Sequence, residues 1–461
     1  MDYDVLIIGA GMSGLAAGIR LAHFEKRVCI LERHYAFGGL NSYYKLRGRE
    51  FDVGLHAVTN YTPCGARSAP LAKLLRQLRL THDDFALHPQ RWSEIRFPHH
   101  RLRFSNDTAL FIDEVVREFP SEADRFRRFV EEVRQYDDSR LDVPYASTRS
   151  VLTDRLREPA LVEMLLCSIM YYGSAEENDM DFVQFVTMFK AIFLEGLARP
   201  REGVRRIIKT LVRRYRSCGG ELRMRSGVRR ILLNHDRAVG VELESGEELT
   251  AATIISCAGF VETMRLCGED RANQAGGGSG RLSFVETVGI LDTLPRRLGH
   301  EATIVFFNDG ERFEYARPGA PVDLRSGVVC CPSNYEGHDD MAEGVFRITW
   351  LANYDRWAGL DDESYAGLKT GYLAEFTKQA ARYIPDFARH LVDVDMFTPR
   401  TIERYTGHLN GAVYGSPRKC RDGRTEIQNL YICGTDQGYL GIIGAALSGI
   451  TIANLHVLSQ S

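Results

Sequence analysis

The sequence predicts an α/β fold on three observations: a β–turn–α–β unit built around Gly9-x-Gly11-x-x-Gly14, a run of short strands between 219 and 259, and a strand–turn–helix close from 429 to 458. A chain of 461 residues exceeds one ordinary core, so two or three domains are expected. A net charge of −3 supplies no global basic field, which argues against nucleic acid as a partner. The ten cysteines include no C-x-x-C pair, so no zinc site and no other metal is expected. Asp2 and Asp4, with no basic stretch, argue against a secretory signal. Reduced, mostly buried thiols in a cytoplasmic protein are therefore expected.

Val5–Ile8 is a continuous apolar run, as in a parallel strand buried on both faces. Gly9 permits a tight turn, Gly11 admits the close approach of a pyrophosphate, and Gly14 lets the helix pack on the strand. The helix is read over Leu15–Phe24. Its N-terminal side, with Met12 and Ser13, offers free N–H groups and a positive dipole end to phosphates. "RVCILE" (27–32) is the second strand. Glu32, followed by Arg33, stands 18 residues after Gly14, where an acid accepts hydrogen bonds from ribose hydroxyls. An acid there disfavours a 2′-phosphate, so NADP is set aside while FAD and NAD remain.

The segment "HYAFGGLNSYYKLRGREFDVGLH" (34–56) adds a second Gly-Gly, Gly38-Gly39, then Phe51, Asp52 and Gly54. It resembles the FAD-binding region of the phytoene desaturase / amine oxidase superfamily. The resemblance implies FAD, whose length needs further glycine-lined backbone. It also implies a Rossmann-like, GR2-type FAD-binding domain with a β-meander, plus a discontinuous α+β substrate domain over the flavin. By resemblance, Gly38, Gly39, Leu40, Asn41 and His56 join the cofactor site. The meander covers 219–259, with turns at His235-Asp236 and Ser245-Gly246, and "TIISCAG" returns to the main sheet. The backbone of Val228 is assigned to the adenine.

The close of the chain admits two readings. Residues 437–455 carry no formal charge over about the length of a bilayer-spanning helix. They also contain Gln437, Ser448, Thr451, Asn454 and several glycines, which suits a wall packed on a cofactor better than a span. In the family, "NLYICGTD" (429–436) is a strand and turn, and the next helix points at the flavin. Gly434, Asp436, Gly441, Ile442 and Ile443 are carried over, with Asp436 on the ribityl or phosphate region and Gly444 also matching. The helix dipole would stabilise an anionic reduced flavin.

Within the family, Leu40 replaces the arginine that usually follows Gly-Gly in bacterial desaturases. "FDVGLH" and "GTDQGYLGIIGA" resemble the carotenoid isomerase and retinol saturase branches, and "GHLNGAVYGSP" (407–417) resembles the group's loop near the flavin. The implied domains are 1–60, 200–265 and 400–461 for FAD, and 61–199 and 266–399 for substrate. The expected function is an FAD-dependent oxidoreductase acting on carbon–carbon bonds of a long apolar isoprenoid. It would be a carotenoid or retinoid desaturase or saturase with hydride transfer through flavin N5. Alternatives are a redox-neutral carotenoid cis-trans isomerase, an amine oxidase-type enzyme, or a non-catalytic FAD-binding subunit of lipid biosynthesis. The electron partner (oxygen, quinone or reductant) stays open.

No residue announces a catalytic acid or base; His56 and Tyr414 are the candidates. Cys330 and Cys331 read as a buried strand end, and "NQAGGGSGR" (273–281) as a flexible surface loop. After Pro200, Val204, Ile207, Ile208, Leu211 and Val212 share one helix face among many basic residues. That pattern suits a membrane-surface helix, and peripheral membrane contact is left open. The favoured reading packs the apolar face on the FAD domain and leaves the basic face solvated.

Overall fold

The N-terminal apolar run becomes a strand with partners on both edges, in a computed structural model that describes residues 1–54, 56–138, 140, 142–275 and 278–459. The unit is β1 (Tyr3–Ile8), α1 (Met12–Ala22) and β2 (Val28–Leu31), followed by a hairpin, β3 (Tyr43–Leu46) and β4 (Arg49–Asp52). The helix starts at Met12 rather than Leu15, because Gly11 is its extended N-cap and the third glycine already lies in its first turn. It stops at Ala22, short of Phe24.

Residues 61–199 are mainly helical, with α2 (Pro70–Leu78), α3 (Pro159–Gly173) and α4 (Phe182–Phe189). They also supply a hairpin, β5 (Ser93–Arg96) and β6 (Arg101–Phe104). Next come α5 (Val204–Ser217), β7 (Glu221–Arg223), β8 (Val228–Asn234), β9 (Arg237–Leu243) and β10 (Glu248–Ser256). Then follow β11 (Ser283–Leu291), β12 (Ile304–Asn308), β13 (Ser326–Cys330), β14 (Gly344–Ala352) and α6 (Asp362–Ala380). The chain closes with β15 (Leu391–Phe397), β16 (Leu430–Ile432) and α7 (Gly441–Ala453).

Two seven-stranded sheets result. In the first, β10, β1, β2 and β7 run parallel, and β16 joins the other edge of β10. β10 is long enough to serve twice. Its first half pairs antiparallel with β9, and its second half, "TIIS", lies between β1 and β16. The return of "TIIS" to the main sheet is as expected, whereas the first strand of the expected meander, β7, extends the parallel sheet on β2.

Alternate residues of β1 face different layers, as strand geometry requires. Val5 and Ile7 pack with α1, α2, α5 and α7, whereas Leu6 and Ile8 pack with the meander. The apolar face of α5 is buried in the first of these cores, so only its basic face meets solvent. The second sheet runs β15-β11-β14-β13-β12-β5-β6, antiparallel except for β12 with β5. Its two faces pack on α3 and α4, and on α6.

Among the described residues one helix, Gly441–Leu458, is long and apolar enough to cross a membrane by length and composition, and 56% of it is buried inside the protein. α7 crosses α1 so closely that a Cβ on Gly449 would stand 2.0 Å from the Ser13 carbonyl oxygen. Only glycine permits that approach. In "NQAGGGSGR", Asn273–Ala275 close a helix (Glu269–Ala275), Gly280 is buried against the Gly415 carbonyl, and Gly276 and Gly277 lie outside the described residues. Leu55 of "FDVGLH" lies outside them too.

Candidate active site

The ends of the first sheet and one face of the second enclose a cavity of about 540 Å³. Glu32, Gly39, Leu40 and Asn41 line it from the N-terminal region, and Gly441 and Ile442 from the start of α7. Glu32 accepts hydrogen bonds from the backbone N–H of Ala10 and of His34, both at 2.8 Å. These hold its carboxylate at the tip of β2. Gly38, at φ 112°, donates its N–H to Ala10 and brings the second Gly-Gly beside the first motif. Among the described residues, nothing lies within 4 Å of where a Cβ on Gly11 would be, and a Cβ on Gly39 would meet only Gly11 Cα, at 3.8 Å. The two glycines therefore leave a groove at the N-terminus of α1. Its open backbone and dipole suit a pyrophosphate.

The remaining expected contacts are distributed differently. Met12 and Ser13 are buried in the first turn of α1, with Ser13 packed beside Gly434. Arg33 is exposed and packs against Gly407, away from the cavity wall. Val228 starts β8 outside the wall, although Ser226, two residues earlier, donates to the Glu32 carbonyl at 2.8 Å. Ile443 turns into the core beneath α7.

Asp436 departs most from its expected role. It is 1% exposed, and its carboxylate accepts from Phe260 N–H (2.6 Å) and Ser416 N–H (2.7 Å), with Lys419 Nζ at 3.8 Å. The side chain ties three loops together instead of reaching toward a ribityl chain. Behind the same turn, the thiols of Cys257 and Cys433 lie 3.2 Å apart, a proximity that their spacing does not reveal.

Both catalytic candidates reach the cavity. Tyr414 donates its hydroxyl to the Tyr171 carbonyl at 2.6 Å, and burial raises its pKa. Its phenol is thus committed to the protein, and its ring serves as wall against Phe284.

His56 sits differently. Its Nε2 is 2.9 Å from Thr349 Oγ1 and 3.7 Å from Glu286 Oε2. Burial, then Arg347 and Arg199, hold its pKa well below the usual histidine value. The segment carrying His56 is gripped by three donors: Arg347 on the Val53 carbonyl, and Arg199 and Tyr335 on the His56 carbonyl. Each arginine is itself in a buried ion pair, Arg199 with Asp52 and Arg347 with Glu286. Burial pushes the Glu286 carboxyl up from its ordinary value, while the guanidinium against it works the other way.

Glu286, Thr349 and Arg347 are site residues that the sequence reading missed. A solitary acid in "SFVETVGIL" and a solitary arginine in "GVFRITWLA" are the visible signals. The rest of the wall is largely apolar and aromatic, including Tyr171, Phe284, Phe306, Val328, Val413 and Leu440. None of these stands out by spacing.

A family model described as flavin containing amine oxidoreductase matches residues 12–455. Prolycopene isomerase 2, chloroplastic, of an Oncidium hybrid cultivar is 25% identical over 98% of this chain and 83% of its own. The all-trans-retinol 13,14-reductase of Danio rerio is 24% identical over 99% of this chain and 87% of its own. The neurosporene-forming phytoene desaturase of Rhodobacter capsulatus is 26% identical over 54% of this chain and 51% of its own. Among solved structures, an oxidoreductase from Methanosarcina mazei superposes with a TM-score of 0.68 at 15% identity, over 98% of this chain and 99% of that one. A putrescine oxidase variant reaches 0.66 at 16% identity, over 100% and 99%. The structural likenesses are likenesses of fold.

Proposed function

The chain belongs to the family of flavin containing amine oxidoreductases and is an FAD-dependent oxidoreductase; from that premise we propose that it acts on a carbon–carbon bond of a long apolar isoprenoid, a carotenoid or retinoid. One observation carries the reading: a single cavity joins the glycine-lined nucleotide region to a largely apolar, aromatic chamber. A polyene needs burial along its length and few polar partners. The relatives that support this reading are named for prolycopene, retinol and phytoene.

The residues present fit FAD. The groove between Gly11 and Gly39 would take the pyrophosphate, with Met12 and Ser13 supplying the first turn behind it. Glu32 keeps acceptor capacity on the cavity side for ribose hydroxyls. Gly441 and Ile442, at the start of α7, would present the positive helix end to the ring system. Bound there, FAD supplies a hydride acceptor or donor. The protein's own part is to orient the substrate chain against that ring and to keep water out, with Tyr414, Phe284 and Leu440 as wall.

Expression in a carotenoid-producing host, with chromatography and absorbance of the pigments, tests the proposal. A change in the number of conjugated double bonds is expected, longer for desaturation and shorter for saturation. An isomer change at constant conjugation would place the chain with its isomerase relatives instead. Unchanged pigment and retinoid pools, with flavin bound, would count against an isoprenoid substrate.

A further inference from the structure

We propose that His56 is a catalytic residue that exchanges a proton with the substrate through its Nδ1, next to the carbon that exchanges hydride with the flavin. This rests on the isoprenoid reading above. The geometry comes from four elements. Nε2 points at Thr349 on β14 and Glu286 on β11. Glu286, paired with Arg347, accepts from the Thr349 hydroxyl, which leaves the Thr349 oxygen to accept from Nε2–H; that arrangement favours the tautomer with hydrogen on Nε2 and leaves Nδ1 the lone pair. Nδ1 has no protein partner among the described residues and is not sealed from the cavity that His56 lines. Arg347 on β14 and Arg199, just before α5, face the ring from behind, and Cys330 on β13 and Tyr335 contact its carbonyl. The same segment leads to Thr59, whose hydroxyl lies 3.1 Å from where a Cβ on Gly441 would be, beside the N-terminus of α7. His56 therefore stands near the end of the cavity assigned to the flavin ring.

The step balances as a two-electron dehydrogenation. With FAD held in the cavity, one substrate C–H bond would break with its electron pair leaving as hydride, for which the cofactor would supply the acceptor. The neighbouring C–H bond breaks, its proton goes to Nδ1, and its electron pair becomes the new C=C bond. The substrate would lose two electrons, matched by the two-electron capacity that FAD would supply, and the His56 imidazolium would give its proton to water. Saturation runs the same transfers backwards. The low basicity imposed by burial and the two arginines keeps the ring neutral at neutral pH, and it returns the proton quickly.

Two readouts test this. Nitrogen NMR of the ¹⁵N-histidine-labelled holoprotein should show His56 protonated on Nε2, with a bare Nδ1, at neutral pH and still so below the ordinary histidine value of about 6.5. In stopped flow with a polyene that reduces the wild-type flavin, His56→Ala should slow reduction by about 100-fold or more, with normal flavin content and partial rescue by free imidazole. If His56→Ala misfolds, Thr349→Val keeps the ring but loosens it, and should shift the pH profile of reduction. A proton on Nδ1, flavin loss in His56→Ala, or reduction within threefold of wild type would each overturn the proposal. A wild-type flavin that no isoprenoid reduces would sink the substrate reading instead, and the nitrogen spectrum would then decide for or against His56.

Discussion

Glu32 shows what a single residue can carry. Its charge, its two backbone donors and its place at the tip of β2 converge on one job. Glu32→Gln keeps the shape but removes the charge-assisted acceptors. The FAD dissociation constant should rise about tenfold or more, read by flavin fluorescence titration of the apoprotein; unchanged affinity would remove Glu32 from the ribose. Gly449→Ala should act through the fold. Its Cβ would land 2.0 Å from a carbonyl oxygen of α1, and backbone cannot swing aside as a side chain can. A loss of about 1–3 kcal/mol is expected, seen as a lower melting temperature with earlier flavin release. Glu32 and the first glycines were legible in the sequence because strand, turn and acid follow one another locally. Asp436 and Tyr414 were legible as residues but not as roles. Residue type does not tell which way a carboxylate or phenol turns, and both turn inward.

At the scale of elements, β11 and β14 form the floor of the cavity through their register. Glu286 stands opposite Thr349, and Arg347, opposite Val288, lies two residues further on the same face. Arg347→Met would strand a buried carboxylate, and a loss of about 3–5 kcal/mol is expected in denaturant unfolding. Adding Glu286→Leu should recover most of it, because a well-packed apolar pair can replace a buried ion pair. If the double variant is no more stable than the single, the pair is not the cause. The periodicity of α5 identified its apolar face correctly, yet could not say what covered it. Burial against α1 and α2 answers that. The same holds for Gly441–Leu458, whose composition alone admits a membrane and whose packing on α1 supplies another partner.

For the whole molecule, buried histidines set a direction for acid stability. Burial is the first cause that holds His23, His300 and His338 down to about 4, and His56 well below its usual value. Unfolded histidines titrate near 6.5. Between about pH 6.5 and 4 the unfolded chain therefore binds more protons than the folded one. Stability should be full above pH 6.5 and fall as the pH drops toward 4. Melting temperatures across that range should decline, and His300→Asn should flatten the slope; a flat wild-type profile would contradict the assignment. His408 is shifted the other way, since Glu262 outweighs its burial, and it offsets one of these groups. The burial of the long apolar helix Gly441–Leu458 also predicts extraction from membranes by high salt without detergent. A detergent requirement would argue for a span.

The sequence by itself determined the nucleotide-binding half: an apolar strand, a glycine turn, an acid at fixed distance, a meander and a glycine-rich closing helix. All of these are local patterns, set by short-range sterics and by the needs of a bound phosphate. Only the tertiary structure decided the substrate side. The ion pairs of Asp52 with Arg199 and of Glu286 with Arg347 join residues 147 and 61 positions apart. The free nitrogen of His56 follows from what lies behind its ring. Strand register and sheet-to-sheet packing create these arrangements, and neither leaves a periodic trace in the chain.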